Sequence, residues 1–493
     1  MKEINSPKII LVEDHHEAYY AWKERKFNNL PLVHLDAHVD FEFQEVKPER
    51  LILQEARTLA ELKTQLEKAL LFKKYKFGPE ELTHIGNYIY PAMRDGIVGE
   101  FFWIVPGGLS EFQKCLGRIK KVLLSFQKED PFADDGASFA PGLVRTRLYH
   151  KSFYICTLEA LPKMKNPVLL DIDTDFLVTD SLKNAASTRK IGKRKPWILP
   201  DELVGILKKK VPDPKFITIA YSVNQGFTPM VYKAMGDQIA RSLGCSDPSL
   251  ENRILAGEYF KKFRESLDRE DFRTAKSYYF QALKLNPKYS VPDNNYGPLY
   301  LQSEDYARAE KEFRGMLNVD GEDSYALSGL GRIYFAKKRF KVAHKYFKQA
   351  FALRHDNKAA LIGRAETEYR LKNFPAAKIF LARYEKLEPL QGASRYVRGL
   401  IHEKEGHPQK AYIKYKEALQ LGLSGIDLLI KLVKLAKRFA EADLDYLKIR
   451  FADYKKRFYQ FDRKSLQRKG KFSHIRRMEE KIKRLSASLG PYP

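Results

Sequence analysis

The sequence predicts an α/β domain with a mainly parallel sheet and helices on both faces, followed by an all-α superhelix of short repeats. Three observations predict it. Up to about residue 250, short near-continuous apolar runs alternate with amphipathic segments. Beyond that point alanine recurs every 34 residues, at Ala275, Ala309, Ala343, Ala377 and Ala411. The last 68 residues then turn basic, with 19 Lys and Arg against 8 Asp and Glu, a net +11. The 493 residues thus divide into segments 1–250, 251–425 and 426–493, and the first two are long enough to bury cores of their own.

In the first segment PKIILV (7–12), LPLVHLD (30–36), EFFWIV (100–105), NPVLLDID (166–173) and KFITIAYS (215–222) read as strands. Their unbroken apolar character is that of strands covered on both faces. Residues 55–72, 110–127, 200–210 and 229–243 carry helical periodicity between them. Strand alternating with helix implies crossover connections and hence a parallel sheet.

In the second segment Gly297, Gly331, Ala365 and Gly399 keep the 34-residue period, twelve positions upstream of the last four alanines. Small residues mark where two helices of a hairpin cross closely, and Tyr279, Phe313, Phe347 and Tyr415, four positions after their alanines, fill the seam. Ala282, Ala350 and Ala418, with Pro287 and Pro389 ending their helices, complete the pattern. It resembles the tetratricopeptide repeat, in five copies over 256–289, 290–323, 324–357, 358–391 and 392–425, with Leu381 and Tyr384 replacing the aromatic and the small residue of the fourth. Such an array implies a concave surface for a peptide or protein partner. The segment IDLLIKLVKLAKRF (426–439) is amphipathic and suited to cap the last repeat. Aromatics then interleave with basic residues in LDYLKIRFADYKKRFYQF; packing with snorkelling lysines is the preferred reading, and a nucleic-acid-binding tail the lesser one.

The total formal charge is +26. Cys115, Cys156 and Cys245 are scattered, which argues against a disulfide framework or a zinc knuckle. The run Ile9–Val12 is too short for a signal-peptide core, and no apolar stretch approaches the length of a membrane span. A cytoplasmic, membrane-free protein is expected.

The chemistry concentrates in two strand ends. In VHLDAHVDF (33–41), Asp36, His38 and Asp40 occupy alternate positions, so an extended chain points them the same way. In LLDIDTDFL (169–177), Asp171, Asp173 and Asp175 do the same. Five Asp and one His brought together repel one another and need a cation. Carboxylate and imidazole without thiolate favour a hard or borderline divalent ion such as manganese. VEDHH (12–16) follows the first strand and offers His15 or His16 as a further nitrogen ligand. Taken singly, each comb has another reading, since aspartates at strand ends often cap turns or helices.

LDAHVD matches the D-A-H-x-D signature of the arginase/ureohydrolase superfamily, and DIDTD resembles its S-x-D-x-D signature. The ordered set EDHH, VHLDAHVDF, HIGNYIYPA and LLDIDTDFL, spanning residues 7–245, is similar to one arginase-like branch that includes bacterial peptide arginases. The resemblance implies an arginase/deacetylase-like fold, two Mn2+ ions and conversion of peptidyl-arginine to peptidyl-ornithine with release of urea. It would make Asp36 a bridging ligand, put His15 with Asp40 on one metal and His38 on the other, with Asp14 preceding His15 as in arginases. In the preferred register Asp173 is the second bridge and Asp175 joins His38, with Asp171 behind them. A register two residues earlier would use Asp171 and Asp173. The resemblance also implies a proton passed by Asp175 or by a histidine, with His84 a candidate shuttle and Asn87 a candidate for orienting the substrate. One departure stands out. ITIAYSVNQGFTP (217–229) lacks the glutamate that arginases place there for the guanidinium, leaving Ser222, Asn224 and Gln225 as polar groups. The basic loop STRKIGKRKPW (187–197) would suit an acidic flanking peptide. Hydrolysis of another C–N bond, and a repeat scaffold carrying a non-catalytic metal domain, are the alternatives.

Overall fold

The computed structural model describes residues 8–41, 86–129, 136–180, 194–223, 227–290, 296–389, 391–423, 425–468 and 471–489. The chain falls into two compact units that divide between Ile333 and Tyr334. The unit containing the sheet therefore takes in the first two repeats as well as the α/β segment.

That unit begins β1 (Lys8–Val12), α1 (Glu17–Glu24), β2 (Leu30–Leu35), α2 (Ile89–Arg94), β3 (Val98–Ile104) and α3 (Leu109–Glu129). Three short strands follow, β4 (Ser138–Ala140), β5 (Leu143–Leu148) and β6 (Lys151–Cys156). The chain then forms β7 (Val168–Asp173), α4 (Asp175–Val178), α5 (Pro200–Lys210), β8 (Pro214–Ala220) and α6 (Ala234–Ser242). Among the described residues, all eight strands join one sheet in the order β1-β8-β7-β2-β3-β6-β5-β4. Neighbours from β1 to β6 run parallel, and β5 and β4 add an antiparallel edge.

All five strands expected from the sequence are present, as are the helices expected at 110–127 and 200–210. The segment 229–243 is a 3-10 turn followed by α6, and 55–72 lies outside the described residues. The β4–β6 ribbon and α1 and α2 were not anticipated. Alternation sorts the strand side chains into two cores. Leu32, Phe101, Leu169 and Phe216 bury against α1, α2 and α3 on one face. Val33, Phe102, Leu170 and Ile217 bury against α4, α5 and α6 on the other. The mixed α/β region is thus a sheet covered on both sides.

The helices follow as α7 (Leu250–Asp268) with α8 (Phe272–Leu285) and α9 (Tyr296–Gln302) with α10 (Tyr306–Val319), then α11 (Ser324–Ala336), which runs across the division between the units, and α12 (Phe340–Leu353). They continue as α13 (Lys358–Arg370) with α14 (Phe374–Leu387), then α15 (Gly392–Lys404) with α16 (Pro408–Gln420). The five period-marking alanines are all fully buried. The Phe313 ring lies 2.7 Å from where a Cβ at Gly297 would stand, and closer still at Gly329, so only glycine lets that ring fill the seam. The turn inside each hairpin repeats a left-handed residue, at Glu270, Glu304, Lys338, Lys372 and Gly406.

α7 packs directly on the α/β region. Gly257 lies so close to Ala234 that no side chain fits between them, and Arg253 Nε donates to Asp237 Oδ1 at 2.6 Å. In the second unit, α17 (Ile426–Phe439) buries Leu428, Leu432 and Val433 in one cluster with Ala411, Tyr415 and Ala418. Phe451, Tyr454, Ile482 and Leu485, from the basic helices beyond it, pack into the same cluster. Among the described residues no helix is long and apolar enough to cross a membrane.

Candidate metal centre

The register of the sheet places the two combs side by side. His34 on β2 pairs with Asp171 on β7, and Leu35 pairs with Ile172. The next in-phase residues, Asp36 and Asp173, therefore leave adjacent strands together at their C-terminal ends, where open α/β sheets gather ligands. His15 enters from the turn after β1. Its Nδ1 lies 3.0 Å from Asp36 Oδ2, 3.2 Å from Asp173 Oδ2 and 3.6 Å from Asp40 Oδ2. On the other side of Asp36, His38 Nδ1 lies 3.4 Å from Asp36 Oδ1 and 2.9 Å from Asp175 Oδ2. Asp36 thus stands between two ligand groupings, His15 with Asp40 and His38 with Asp175.

The backbone around these side chains is tied to them. Asp36 Oδ1 accepts the His38 N–H at 2.6 Å, and Trp103 Nε1 donates to the Asp36 carbonyl at 3.0 Å. Asp175 Oδ1 accepts the Ala37 N–H at 3.2 Å, and Asp173 Oδ1 accepts the Asp175 N–H at 2.8 Å. Asp40 turns back toward the site through a left-handed backbone (φ 47°), a conformation aspartate tolerates better than most residues.

Asp171 sits deeper and is already saturated. It accepts from Tyr88 Oη at 2.7 Å and from the Thr218 hydroxyl, and His34 Nδ1 and His15 Nε2 both lie 3.0 Å away. His15, His34 and Asp171 form a further grouping of possible ligands at this depth. Ser222 Oγ donates to Asp173 Oδ2 at 2.5 Å, so Ser222 steadies a carboxylate while also lining the cavity. Asn87 is buried in the turn before α2, and Gly86 of that turn lines the cavity. His16 is buried edge-on to Tyr20, and the Asp14 carbonyl accepts the Glu17 N–H at the start of α1. His84 and Asn224 lie outside the described residues.

Sequence reasoning missed His34, Tyr88, Thr218 and Trp103. His34 was within reach, because it stands two positions before Asp36 and so shares its side of the strand. Tyr88 and Thr218 carry no local pattern that would single them out. The cavity over the centre measures about 280 Å3, with Trp103, Ile119, Val122 and Phe227 among its walls and Arg118 also lining it. Phe227 meets His38 edge-on at 4.8 Å, and the Arg194 guanidinium donates to the Phe227 carbonyl.

The electrostatics are those of a site short of positive charge. Asp36, Asp171 and Asp175 are fully buried, and Asp40 and Asp173 nearly so. Burial, then the charges of Asp175 and Asp36, push Asp173 up to about 7. Burial and the Asp36 charge push Asp40 well above the carboxylate range. Burial alone would lower the two imidazoles; Asp171 leads the carboxylates that hold His15 well above its ordinary value, and Asp175 leads those around His38. Asp36 and Asp171 are held low against burial, each with His15 the leading cause. Asp175 Oδ2 is buried and makes no properly directed hydrogen bond among the described residues, although His38 Nδ1 is 2.9 Å away. Close but misdirected donors and acceptors fit a common cation better than they fit one another. The donor set, carboxylate and imidazole, suits a hard or borderline divalent ion. A separate grouping of His402, Glu405 and His407 lies on the fifth repeat, but there Lys378 already pairs with Glu405 at 2.5 Å.

A tetratricopeptide-repeat family model matches residues 294–350 and 330–387. No curated protein matches the chain. Among solved structures, a crystal structure of MamA is 18% identical, over 33% of this chain and 95% of that one, with a TM-score of 0.28. The PilF protein of Pseudomonas aeruginosa is 19% identical, over 43% of this chain and 95% of that one, with a TM-score of 0.31. YrrB, a tetratricopeptide protein with an unusual peptide-binding site, is 18% identical, over 35% of this chain and 89% of that one, with a TM-score of 0.26. The C-terminal region carries tetratricopeptide repeats.

Proposed function

We propose that the α/β region is a binuclear manganese-dependent hydrolase of the ureohydrolase type, acting on the guanidinium group of arginine within a peptide or protein to give ornithine and urea. One observation carries the reading: the combs 36–40 and 171–175, distant in sequence, converge with His15 around a single buried point, with Asp36 between two ligand groupings. His15, Asp40 and Asp173 would hold one ion, and His38 and Asp175 the other, with Asp36 shared and Asp173 reaching toward the second. Asp171 serves as support, since its acceptors are already engaged. Two divalent ions bound there would supply a water of lowered pKa and polarise the group under attack.

The chain's own residues do the rest. Trp103, Ile119, Val122 and Phe227 shape an apolar passage that admits a side chain and limits bulk water. Asp175, beside His38, is placed to carry a proton to the leaving amine. The added water divides between the products: its oxygen goes to urea as the C–N bond breaks, and both its protons go to the leaving nitrogen, which departs as the ornithine ammonium. The repeats would hold the polypeptide that bears the reactive side chain and raise its effective concentration at the cavity.

A second reading has a specific observation in its favour. Apart from Asp40, Asp173 and Asp175, no carboxylate lines the cavity among the described residues, whereas Arg118 does. That lining favours a neutral or anionic substrate group, such as an acylated amine, hydrolysed by the same centre. The test is metal analysis of the purified protein, then incubation with arginine-containing and acyl-lysine peptides read by mass spectrometry. Loss of the mass of cyanamide supports the first reading, loss of the acyl mass supports the second, and no change in any peptide by metal-loaded protein counts against both.

A further inference from the structure

His15 is held differently from the other side chains of the centre. Asp36 to Asp40 leave β2, and Asp173 and Asp175 leave β7; each of those strands is paired on both sides. His15 follows β1, which among the described residues is an edge strand bonded to β8 alone, and sits in the turn before α1. Fewer backbone bonds restrain a turn at that place than restrain the ends of central strands. Side chains fix it instead. Glu13 Oε2 accepts from Lys233 Nζ at 2.6 Å, and Glu13 Oε1 accepts from Lys288 Nζ at 2.5 Å. Lys233 is buried, with its ammonium 4.5 Å from the centre of the Tyr221 ring. Lys288 comes from the end of the first repeat, 275 residues further along the chain. Its neighbour Tyr289 is fully buried, 4.8 Å from the ring of Phe260 on α7. The far end of the turn is fixed by α1, where Ala18 N–H donates to the His15 carbonyl at 3.1 Å.

We infer that Lys288, through Glu13, is a positioning residue for His15, so that the first repeat hairpin forms part of the scaffold of the metal centre; its meaning for metal rests on the function proposed above. Lys288 is more than half exposed, and an ion pair of that kind adds little to global stability. Its removal therefore acts locally, on the turn, which is what separates positioning from a general structural role.

The experiment uses the full chain, with Lys288→Met and Lys288→Arg beside the wild type. Hydrogen exchange of the backbone amides of residues 13–18 is followed in metal-free protein, and Mn2+ affinity is measured by titration. Lys288→Met speeds exchange in that turn while the amides of β2 and β7 keep their rates. It weakens Mn2+ binding about tenfold, the lower end of what loss of an outer-shell partner causes. Lys288→Arg restores both. Unchanged exchange overturns the inference, and so does faster exchange with unchanged affinity. A wild type that takes up no Mn2+ overturns the metal reading instead, while the exchange rates still decide whether Lys288 holds the turn.

Discussion

Asp36→Asn replaces the carboxylate shared between the two ligand groupings by an amide of equal size. Asp36 is fully buried, accepts the His38 N–H at 2.6 Å and stands 3.0 Å from His15 Nδ1. Without metal, the variant loses one charge-assisted hydrogen bond, about 1.5–3 kcal/mol. Removing one of five crowded carboxylates offsets part of that cost, so the metal-free fold should survive. The effect on metal is larger. Metal binding of about 10–16 kcal/mol over four ligands is about 3 kcal/mol per ligand, or on the order of a hundredfold in affinity at 1.4 kcal/mol per tenfold. A shared ligand imposes that loss at both ions. At a manganese concentration of about 100 Kd the wild type gains about 2.7 kcal/mol of stability. A variant binding a hundredfold more weakly gains only about 0.4 kcal/mol under the same conditions. Thermal melts with and without manganese, paired with elemental analysis, read this directly. A variant with the wild-type manganese-induced shift would refute the placement of Asp36 between two ions.

Three further outcomes follow from the geometry. Tyr88→Phe removes the hydroxyl that donates to buried Asp171 at 2.7 Å; it should cost about 1.5–3 kcal/mol and weaken manganese about tenfold, and a variant with unaltered affinity would show that Asp171 needs no such support. Phe313→Ala empties the seam between Gly297 and Gly329 and should cost about 3–5 kcal/mol in denaturant unfolding; a loss below about 1 kcal/mol would mean that the ring does not fill it. Asp173 is raised from 3.8 to about 7 by burial and its neighbours, so the folded metal-free protein binds more protons than the unfolded chain between those values and loses stability as pH climbs from about 4 to about 7. His15 and His38, also raised, continue that loss above about 6.5, whereas the lowered Asp36 and Asp171 act only at more acid pH. Manganese replaces those protons and should reverse the slope; metal-free melts that rise with pH over this range would contradict the crowding of carboxylates.

What could be read from the sequence was whatever local periodicity encodes. The five central strands announced themselves as apolar runs, and the repeats through alanines 34 residues apart. The β5–β6 ribbon escaped because Arg145 and Arg147 break LVRTRL into alternating exposed and buried positions at the sheet's edge. EAYYAWKE gave no helical stripe because α1 is buried from Glu17 to Trp22. Both aspartate combs were legible as alternating residues at strand ends. Their convergence was not, since it depends on β2 and β7 becoming neighbours although β3 to β6 lie between them in the chain. For the same reason Tyr88 and Thr218 were invisible: they matter only because the fold carries them to Asp171. Lys288 is the extreme case, a residue of the first repeat whose partner lies beside β1.

The metal centre is tested most directly by the manganese stoichiometry of the 493-residue chain, purified without chelator and titrated with Mn2+ beside Asp36→Asn and Asp175→Asn. Two ions per chain are expected in the wild type. In Asp36→Asn both ions bind on the order of a hundredfold more weakly, because that carboxylate is shared. In Asp175→Asn the ion at His38 is weakened more than the ion at His15, because Asp175 Oδ2 stands 2.9 Å from His38 Nδ1. A wild type that binds no manganese at concentrations saturating for a preformed site, or variants that bind it as the wild type does, would contradict the claim that these strand ends form a metal centre.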